Sequence, residues 1–397
     1  MNTEEIKSLT QKYIINSYGT RSLTLCRGEG VNVWDTDGKQ YLDFVAGIAV
    51  NQLGHCHPKL IQAVEKQLHT LIHVSNLYYI EPQARLAQML CELSFADKAF
   101  FCNSGAEANE GAIKLARKYA HTHYGDNKFE VITLLNSFHG RTYAAVTATG
   151  QEKYQKGFEP LVPGFHYAEL NNLDSVKALI SERTCAVMVE PIQGESGVHP
   201  CTPEFLQGLR DLCNQNKALL IYDEVQCGLG RTGKMFAYEH YGIIPDIMSL
   251  AKGIAGGLPM GAVLTTDEVA TAFTPGSHAS TFGGNPVCSA AACATIQTLL
   301  EDNLLENTIQ MGNYLVKSLK KLQEKYSLIT EIRGMGLIIG AQLDRPGTDI
   351  MTMCMEEGLL INCAAQTTLR FVPALIVTQE DIDKAMEILD KVLSQVS

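Results

Sequence analysis

The stretch Pro245-Asp246-Ile247-Met248-Ser249-Leu250-Ala251-Lys252-Gly253-Ile254-Ala255-Gly256-Gly257 decides the fold. Ile247 to Leu250 is brief, mostly apolar and preceded by a proline and an aspartate, which reads as a buried strand. Lys252 stands where that strand ends, and the glycines after it let backbone or a ligand approach closely. A lysine in that position is either solvated or held in a dry pocket. In the second case burial lowers its pKa and makes the amine a nucleophile toward carbonyls.

Working outward, similar strands recur. Ala99-Phe100-Phe101-Cys102, Glu130–Leu135, Ala186–Glu190 and Ala218–Asp223 are short and apolar, and helical patterns separate most of them (Ser104–Tyr119, Pro203–Asn216). Continuous apolar strands alternating with helices indicate a mostly parallel sheet covered on both faces, an α/β fold. Upstream, Val31–Trp34 and Gln40–Phe44 form a hairpin about Asp35-Thr36-Asp37-Gly38. Helices follow from Pro58 to about Leu71 and from Pro82 to Leu93, and residues 286–325 are helical. Beyond them, short strands mixed with helices suggest a separate, smaller α+β layer.

Composition narrows the function classes. The chain has 397 residues, 46% hydrophobic and 19% charged, which is globular rather than disordered. Its formal charge of −11 argues against nonspecific nucleic-acid or anionic-membrane binding. No apolar run reaches the ~18 residues of a spanning helix, and the acidic N-terminus lacks the apolar core of a signal peptide. The twelve cysteines form no C-x-x-C pair, so a zinc knuckle is not expected. A reducing, cytoplasmic setting is. His55-Cys56-His57 reads as a polar turn before Pro58, because adjacent residues converge poorly on one metal ion.

In an open α/β sheet, ligands bind beyond the carboxyl ends of the strands. Those ends carry Asn103-Ser104-Gly105-Ala106, Asn136 to Arg141, Glu190 to Glu195, Asp223 to Gln226, and Lys252. Ser104-Gly105-Ala106-Glu107 is a capping box that also leaves amides of Gly105 and Ala106 at a helix N-terminus, where a phosphate is favoured. Asp223 closes an apolar strand and needs a partner there. A protonated heterocyclic nitrogen would serve, as would a cap or a bridge to Arg231 or Lys234. Gly228-Leu229-Gly230-Arg231-Thr232-Gly233-Lys234-Met235 mimics two nucleotide motifs and satisfies neither: no clear crossover helix follows it, and Met235 replaces the metal-binding hydroxyl.

The segments Asn103–Glu110, Phe138–Thr142, Glu190–Glu195, Asp223–Gln226, Leu250–Gly253 and Ser280–Pro286 together resemble the class III pyridoxal-phosphate-dependent aminotransferases, in the expected order from residue 28 to about 375. Gly47–Asn51, Ser75–Tyr79 and Thr368–Pro373 are similar to the branch of that class acting on N2-acetyl-L-ornithine. The resemblance implies the fold-type I architecture, with a seven-stranded-type sheet. It also implies an N-terminal segment (1–55) packing with the small domain, a large cofactor-binding domain (56–285) and a small C-terminal domain (286–397).

The resemblance further implies roles. Lys252 would be the amine bonded to the pyridoxal 5'-phosphate aldehyde and, once freed, the proton shuttle. Asp223 would pair with the ring nitrogen. Phe138 and Val225 would take the two ring faces, and Gln226 the phenolic oxygen. Ser104, Gly105 and Ala106 would seat the phosphate, and Thr281 would reach it from a neighbouring subunit, so a homodimer with shared sites is expected. Arg370 resembles the fork for the carboxylate beside the reacting carbon, Arg141 the fork for the distal one with Ser280 assisting, and Glu195 the switch pairing with Arg370. The expected reaction is ping-pong transfer of a δ-amino group from N2-acetyl-L-ornithine to 2-oxoglutarate, giving N-acetylglutamate 5-semialdehyde and glutamate, as in arginine biosynthesis. The same chemistry on ornithine, succinylornithine or 4-aminobutyrate is the nearest alternative. An aminomutase fits less well because it needs no clamp for 2-oxoglutarate, and a noncatalytic module would not need Lys252 and Asp223. Ser196, Cys227 and Gly111 depart from the family's usual residues and bear on substrate preference.

Overall fold

In the computed structural model, which describes residues 1–19 and 21–396, the apolar strands assemble as their composition demands. The N-terminal strands are β1 (Leu25–Glu29), β2 (Asn32–Asp35) and β3 (Gln40–Asp43). The central ones are β4 (Lys98–Cys102), β5 (Glu130–Leu134), β6 (Phe165–Ala168), β7 (Thr184–Val189), the short pair β8 (Ile192–Gln193) and β9 (His199–Pro200), then β10 (Leu219–Asp223), β11 (Ile247–Leu250) and β12 (Gly261–Thr265). The last five are β13 (Ile329–Met335), β14 (Ile338–Leu343), β15 (Leu359–Leu360), β16 (Asn362–Ala364) and β17 (Thr368–Phe371).

Seven strands form the large sheet in the order β4-β12-β11-β10-β7-β5-β6. Its pairings are parallel except those of β12, which runs antiparallel to both β11 and β4. Every residue of β5, β7, β10, β11 and β12 is buried. Burial on both faces is why these strands read as apolar runs rather than alternating ones. β12 and the half-buried β6 are absent from the strands expected from sequence.

The helix Gly105–Tyr124 covers one face, burying Ala108, Ala112, Ala116 and Ala120 on its sheet side. Its alanine and glycine stripe permits close approach: a Cβ on Gly111 would lie 3.1 Å from Val263 Cγ2. The helix Pro286–Glu301 is buried almost all round and packs on the helices Pro58–Leu68 and Glu81–Glu92 and on the turn holding Lys252. A second sheet, β13-β14-β17-β16, lies in the C-terminal part, and β15 joins the N-terminal strands as order β1-β2-β3-β15, pairing Leu359 with Leu42. Arg231 fastens the loop after β10 to that second sheet: its Nη1 donates to the carbonyls of Leu337 (3.0 Å) and Pro373 (2.5 Å). No helix among the described residues is long and apolar enough to cross a membrane.

Candidate active site

The carboxyl ends of β4, β5, β7, β10 and β11 open on one cleft of about 450 Å³, walled by Ser104, Phe138, Arg141, Glu195, Asp223 and Lys252 among others. Placement there follows from topology, since neighbouring parallel strands deliver the residues after their last apolar position to the same edge.

At the first wall, Ser104 caps the helix Gly105–Tyr124, its Oγ accepting from the Glu107 amide at 3.2 Å. The reciprocal arm expected of a capping box goes elsewhere: Glu107 Oε2 accepts from the Asn103 amide and from Asn103 Nδ2, both at 2.8 Å. Asn103 lies one residue before the cap and offers two donors, so the carboxylate prefers it to the cap's single amide. The amides of Gly105 and Ala106 have no acceptor among the described residues and line the cleft at the positive end of the helix. A Cβ on Gly105 would sit 2.8 Å from Val225 Cγ1, so glycine there lets Val225 come forward into the cleft. Gly140 (φ +132°) brings the loop after β5 equally close to the helix start, its virtual Cβ 2.7 Å from Ala106 Cβ.

Asp223 ends β10 and is 3% exposed. Neither Arg231 nor Lys234 is its partner. Its Oδ2 accepts from Asn109 Nδ2 and from His139 Nδ1, both at 2.7 Å, and its Oδ1 accepts from the Val225 amide at 3.0 Å. Neither Asn109 nor His139 is singled out by the sequence reading. For Asn109 the signal is present, because a polar residue at a buried position on a helix's apolar side is informative; His139 lies in the loop after β5 and has no such pattern. Burial opposes charge on His139, yet the hydrogen bond and charge of Asp223 outweigh it and raise its pKa. Glu190, fully enclosed after β7, accepts from the amides of Phe138 (2.9 Å) and Gly194 (3.4 Å), and burial pushes its carboxyl up to about 7.

Lys252 takes a left-handed backbone (φ 47°) between Ala251 and Gly253, an uncommon conformation for a residue with a side chain, found at sites whose surroundings enforce it. Burial strips water from its amine and lowers its pKa, with Glu195 pulling the other way and Arg370 reinforcing the fall. The amine makes no hydrogen bond or ion pair among the described residues. A depressed, unpaired amine is what nucleophilic attack on a carbonyl requires.

Arg370, on β17, is 1% exposed and reaches the site from the second sheet. Its Nη1 donates to Glu195 Oε1 (2.8 Å), the Gly194 carbonyl (2.9 Å) and Gln226 Oε1 (3.1 Å), while Nε donates to Asn362 Oδ1 (3.0 Å). Burial would raise the Glu195 carboxyl, but Arg370 and then Lys252 hold it down at about 2. Gln226, expected at a phenolic oxygen, here spends its amide on that pair, with Nε2 donating to Glu195 Oε1 at 3.1 Å. Arg141 lies over the Tyr154 ring (4.0 Å) with Phe138 beyond (5.7 Å). Ser280 and Thr281 do not enter this chain's cleft. Ser280 Oγ accepts from Asn103 Nδ2 (3.2 Å) and the Gly283 amide (3.0 Å), and Thr281 is exposed, its carbonyl held by Ser75 Oγ at 3.1 Å.

An anion seat, a buried carboxylate, a buried amine and an arginine–glutamate pair around one cleft form the donor set of one enzyme class, and the Aminotransferase class-III family model matches residues 14–393. The chain is a class III aminotransferase. Acetylornithine aminotransferase of Caldanaerobacter subterraneus subsp. tengcongensis is 53% identical to it over 387 residues, 97% of this chain and 98% of that protein. That of Methanocaldococcus jannaschii is 50% identical over 396 residues, the full length of both. Among solved structures, ornithine aminotransferase from Toxoplasma gondii ME49 matches with TM-score 0.96 at 32% identity, covering 100% of this chain and 96% of that one. Acetylornithine aminotransferase from Elizabethkingia anophelis matches with TM-score 0.89 at 34% identity over the whole of both chains. Membership in class III brings with it dependence on pyridoxal phosphate and transamination of small-molecule substrates.

Proposed function

We propose that this enzyme moves the δ-amino group of N2-acetyl-L-ornithine to 2-oxoglutarate in a ping-pong cycle, as in arginine biosynthesis. The observation that carries the reading is the Glu195–Arg370 pair at 2.8 Å beside the buried amine of Lys252. A donor with a terminal amine brings no carboxylate next to the reacting carbon, so Arg370 needs an internal partner. Glutamate and 2-oxoglutarate bring one and displace Glu195. Curated relatives with the same activity in their names, at 46–53% identity, support the choice of donor.

The residues present fit pyridoxal 5'-phosphate. Ser104 and the unbonded amides of Gly105 and Ala106 would take its phosphate, Asp223 its ring nitrogen, Phe138 and Val225 its ring faces, and Lys252 its aldehyde. When bound, the cofactor supplies an electron sink for the carbon bearing the amino group. Lys252 Nζ, once free, would take up and hold the proton from that carbon, a general-base role worth ~10²–10⁴-fold. Asp223, hydrogen-bonded by Asn109 and His139, would pair with the ring nitrogen. Arg370 and Arg141 hold the two carboxylates of the five-carbon acceptor, their planar forks suited to bidentate binding.

The active form is a homodimer in the cytoplasm. Leu71, Ile72, Leu77, Tyr78, Tyr79 and Phe282 are exposed apolar side chains, with Tyr78 70%, Tyr79 109% and Phe282 61% exposed and the His73 and Phe282 rings 5.0 Å apart. Ser75, in the same segment, holds the Thr281 carbonyl at 3.1 Å, and Thr281 would serve a phosphate in a second copy. The twelve thiols are all free, as a reducing compartment keeps them.

Ornithine is the second candidate donor, favoured by the close superposition on ornithine aminotransferases. Half-reactions of the purified holoenzyme with each donor, followed by the change in cofactor absorbance, separate the two. N2-acetylornithine is expected to give the highest kcat/KM, and ornithine outperforming it would overturn the choice. Lys252→Ala retaining turnover would overturn the chemistry.

A further inference from the structure

Behind Asp223 lies a run of hydrogen-bonded side chains in which only His139 Nε2 has no partner among the described residues. Oδ2 of Asp223 accepts two hydrogen bonds, from Asn109 Nδ2 and His139 Nδ1, and Oδ1 accepts one, from the Val225 amide. Each carboxylate oxygen has two lone-pair sites, so Oδ2 is saturated and the open site is on Oδ1. The Asn109 amide is itself fixed. Its Oδ1 accepts from Ser249 Oγ at 2.6 Å, and the second hydrogen of Nδ2 goes to the His139 carbonyl at 2.7 Å. A reversed amide would set a carbonyl oxygen against the carboxylate and an N–H₂ against the Ser249 hydroxyl. The Thr149 hydroxyl, accepting from the His139 amide at 2.8 Å, holds the other end. Asp223, Asn109, His139 and Ser249 are all at most 3% exposed, so water cannot stand in for a lost partner.

We propose that Ser249, Asn109 and His139 are positioning residues acting as one unit, which fixes the orientation of the Asp223 carboxylate and leaves only its Oδ1 free for the cofactor's ring nitrogen. This rests on the reading that Asp223 meets that nitrogen. Ser249 works at one remove: it chooses which end of the Asn109 amide faces the carboxylate. Its place three residues before Lys252 puts it on β11, next to β10 and paired in register with Asp223.

The test measures, on folded holoenzyme variants, the dissociation constant for pyridoxal 5'-phosphate by equilibrium dialysis, together with kcat and KM for both substrates. His139→Leu and Asn109→Asp are expected to weaken cofactor binding and lower kcat by about 10–100-fold each, the scale at which outer partners of a bound group are felt. KM for both substrates should stay near wild type, because none of these residues touches substrate. His139→Asn, whose amide nitrogen falls close to Nδ1, should recover most of the loss, which a purely space-filling role for the ring would not allow. Ser249→Ala removes one buried oxygen and carries the test should leucine at 139 not fold; a several-fold weaker cofactor is expected. Equal behaviour of His139→Leu and His139→Asn, or unchanged cofactor binding in Asn109→Asp and Ser249→Ala, overturns the inference. Asp223→Asn separates the premises. If it matches wild type, the reading of Asp223 itself fails; if it is inactive while the outer variants are normal, only the positioning unit fails.

Discussion

Replacing Glu195 with glutamine tests the proposal that Arg370 serves two unlike substrates in turn. Arg370 Nη1 meets Glu195 Oε1 at 2.8 Å, with the guanidinium 1% and the carboxylate side chain 24% exposed. The Glu195 carboxyl is held at about 2 rather than its ordinary 4.5. A tenfold change in an ionisation constant is about 1.4 kcal/mol, so the anion gains on the order of 3 kcal/mol from its surroundings, Arg370 foremost among them. An incoming 2-carboxylate has to displace that anion, a cost of up to about 10²-fold in apparent affinity. Glutamine keeps the shape and one weak hydrogen bond to Arg370 but not the charge. Glu195→Gln is therefore expected to lower KM for glutamate and 2-oxoglutarate by about 10–100-fold. N2-acetylornithine gains nothing and meets a bare guanidinium, so its kcat/KM should fall. Stopped-flow half-reactions, read by cofactor absorbance, give the two kcat/KM values separately. A glutamate-to-acetylornithine ratio within about threefold of wild type, under 1 kcal/mol, would refute the displacement argument.

Arg141→Lys replaces a fork lying over Tyr154 with a point charge; KM for 2-oxoglutarate should rise about tenfold or more with the N2-acetylornithine half-reaction little changed, as steady-state kinetics with each substrate varied will show. Gly105→Ala would place a methyl 2.8 Å from Val225 Cγ1, so pyridoxal 5'-phosphate should bind about tenfold more weakly by equilibrium dialysis while stability falls by about 1–3 kcal/mol. Glu224, buried while accepting from the amides of Ala237 (2.6 Å) and Tyr238 (2.8 Å), is pushed up to about 8 chiefly by burial. Between about 4.5 and about 8 the folded enzyme then holds a proton that the unfolded chain has released, so this group's contribution is full below 4.5 and lost as pH rises through 8. Glu224→Gln should remove that downward slope of unfolding free energy, about 1.4 kcal/mol per pH unit at most, in urea titrations from pH 5 to 8.

What the sequence discloses and what it hides divide along a physical line. Strands such as Ala218–Asp223 and Ile247–Leu250 declare themselves because burial on both faces forces every position to be apolar, and the polar residue that breaks the run marks the sheet's functional edge. β12 escapes because only the turn from Lys252 to Pro259 precedes it, so the rhythm of strand and helix lapses where the chain turns back antiparallel. β6 escapes because an edge strand, half-buried as Phe165–Ala168 is, need not be apolar throughout. The site divides in the same way. Residues at strand ends are legible one at a time, since topology alone gathers them. Their pairings are not: Asn109 meets Asp223 across 114 positions of sequence and Gln226 meets Arg370 across 144, distances at which no local pattern constrains a partner. Even within five residues, Glu107 chose Asn103 over the cap it was expected to close, because two nearby donors outbid one. Composition therefore reports what must be buried, while only the closed fold reports who satisfies whom. In an active site whose charges are enclosed, the second decides which carboxylate stays ionised and which amine stays bare.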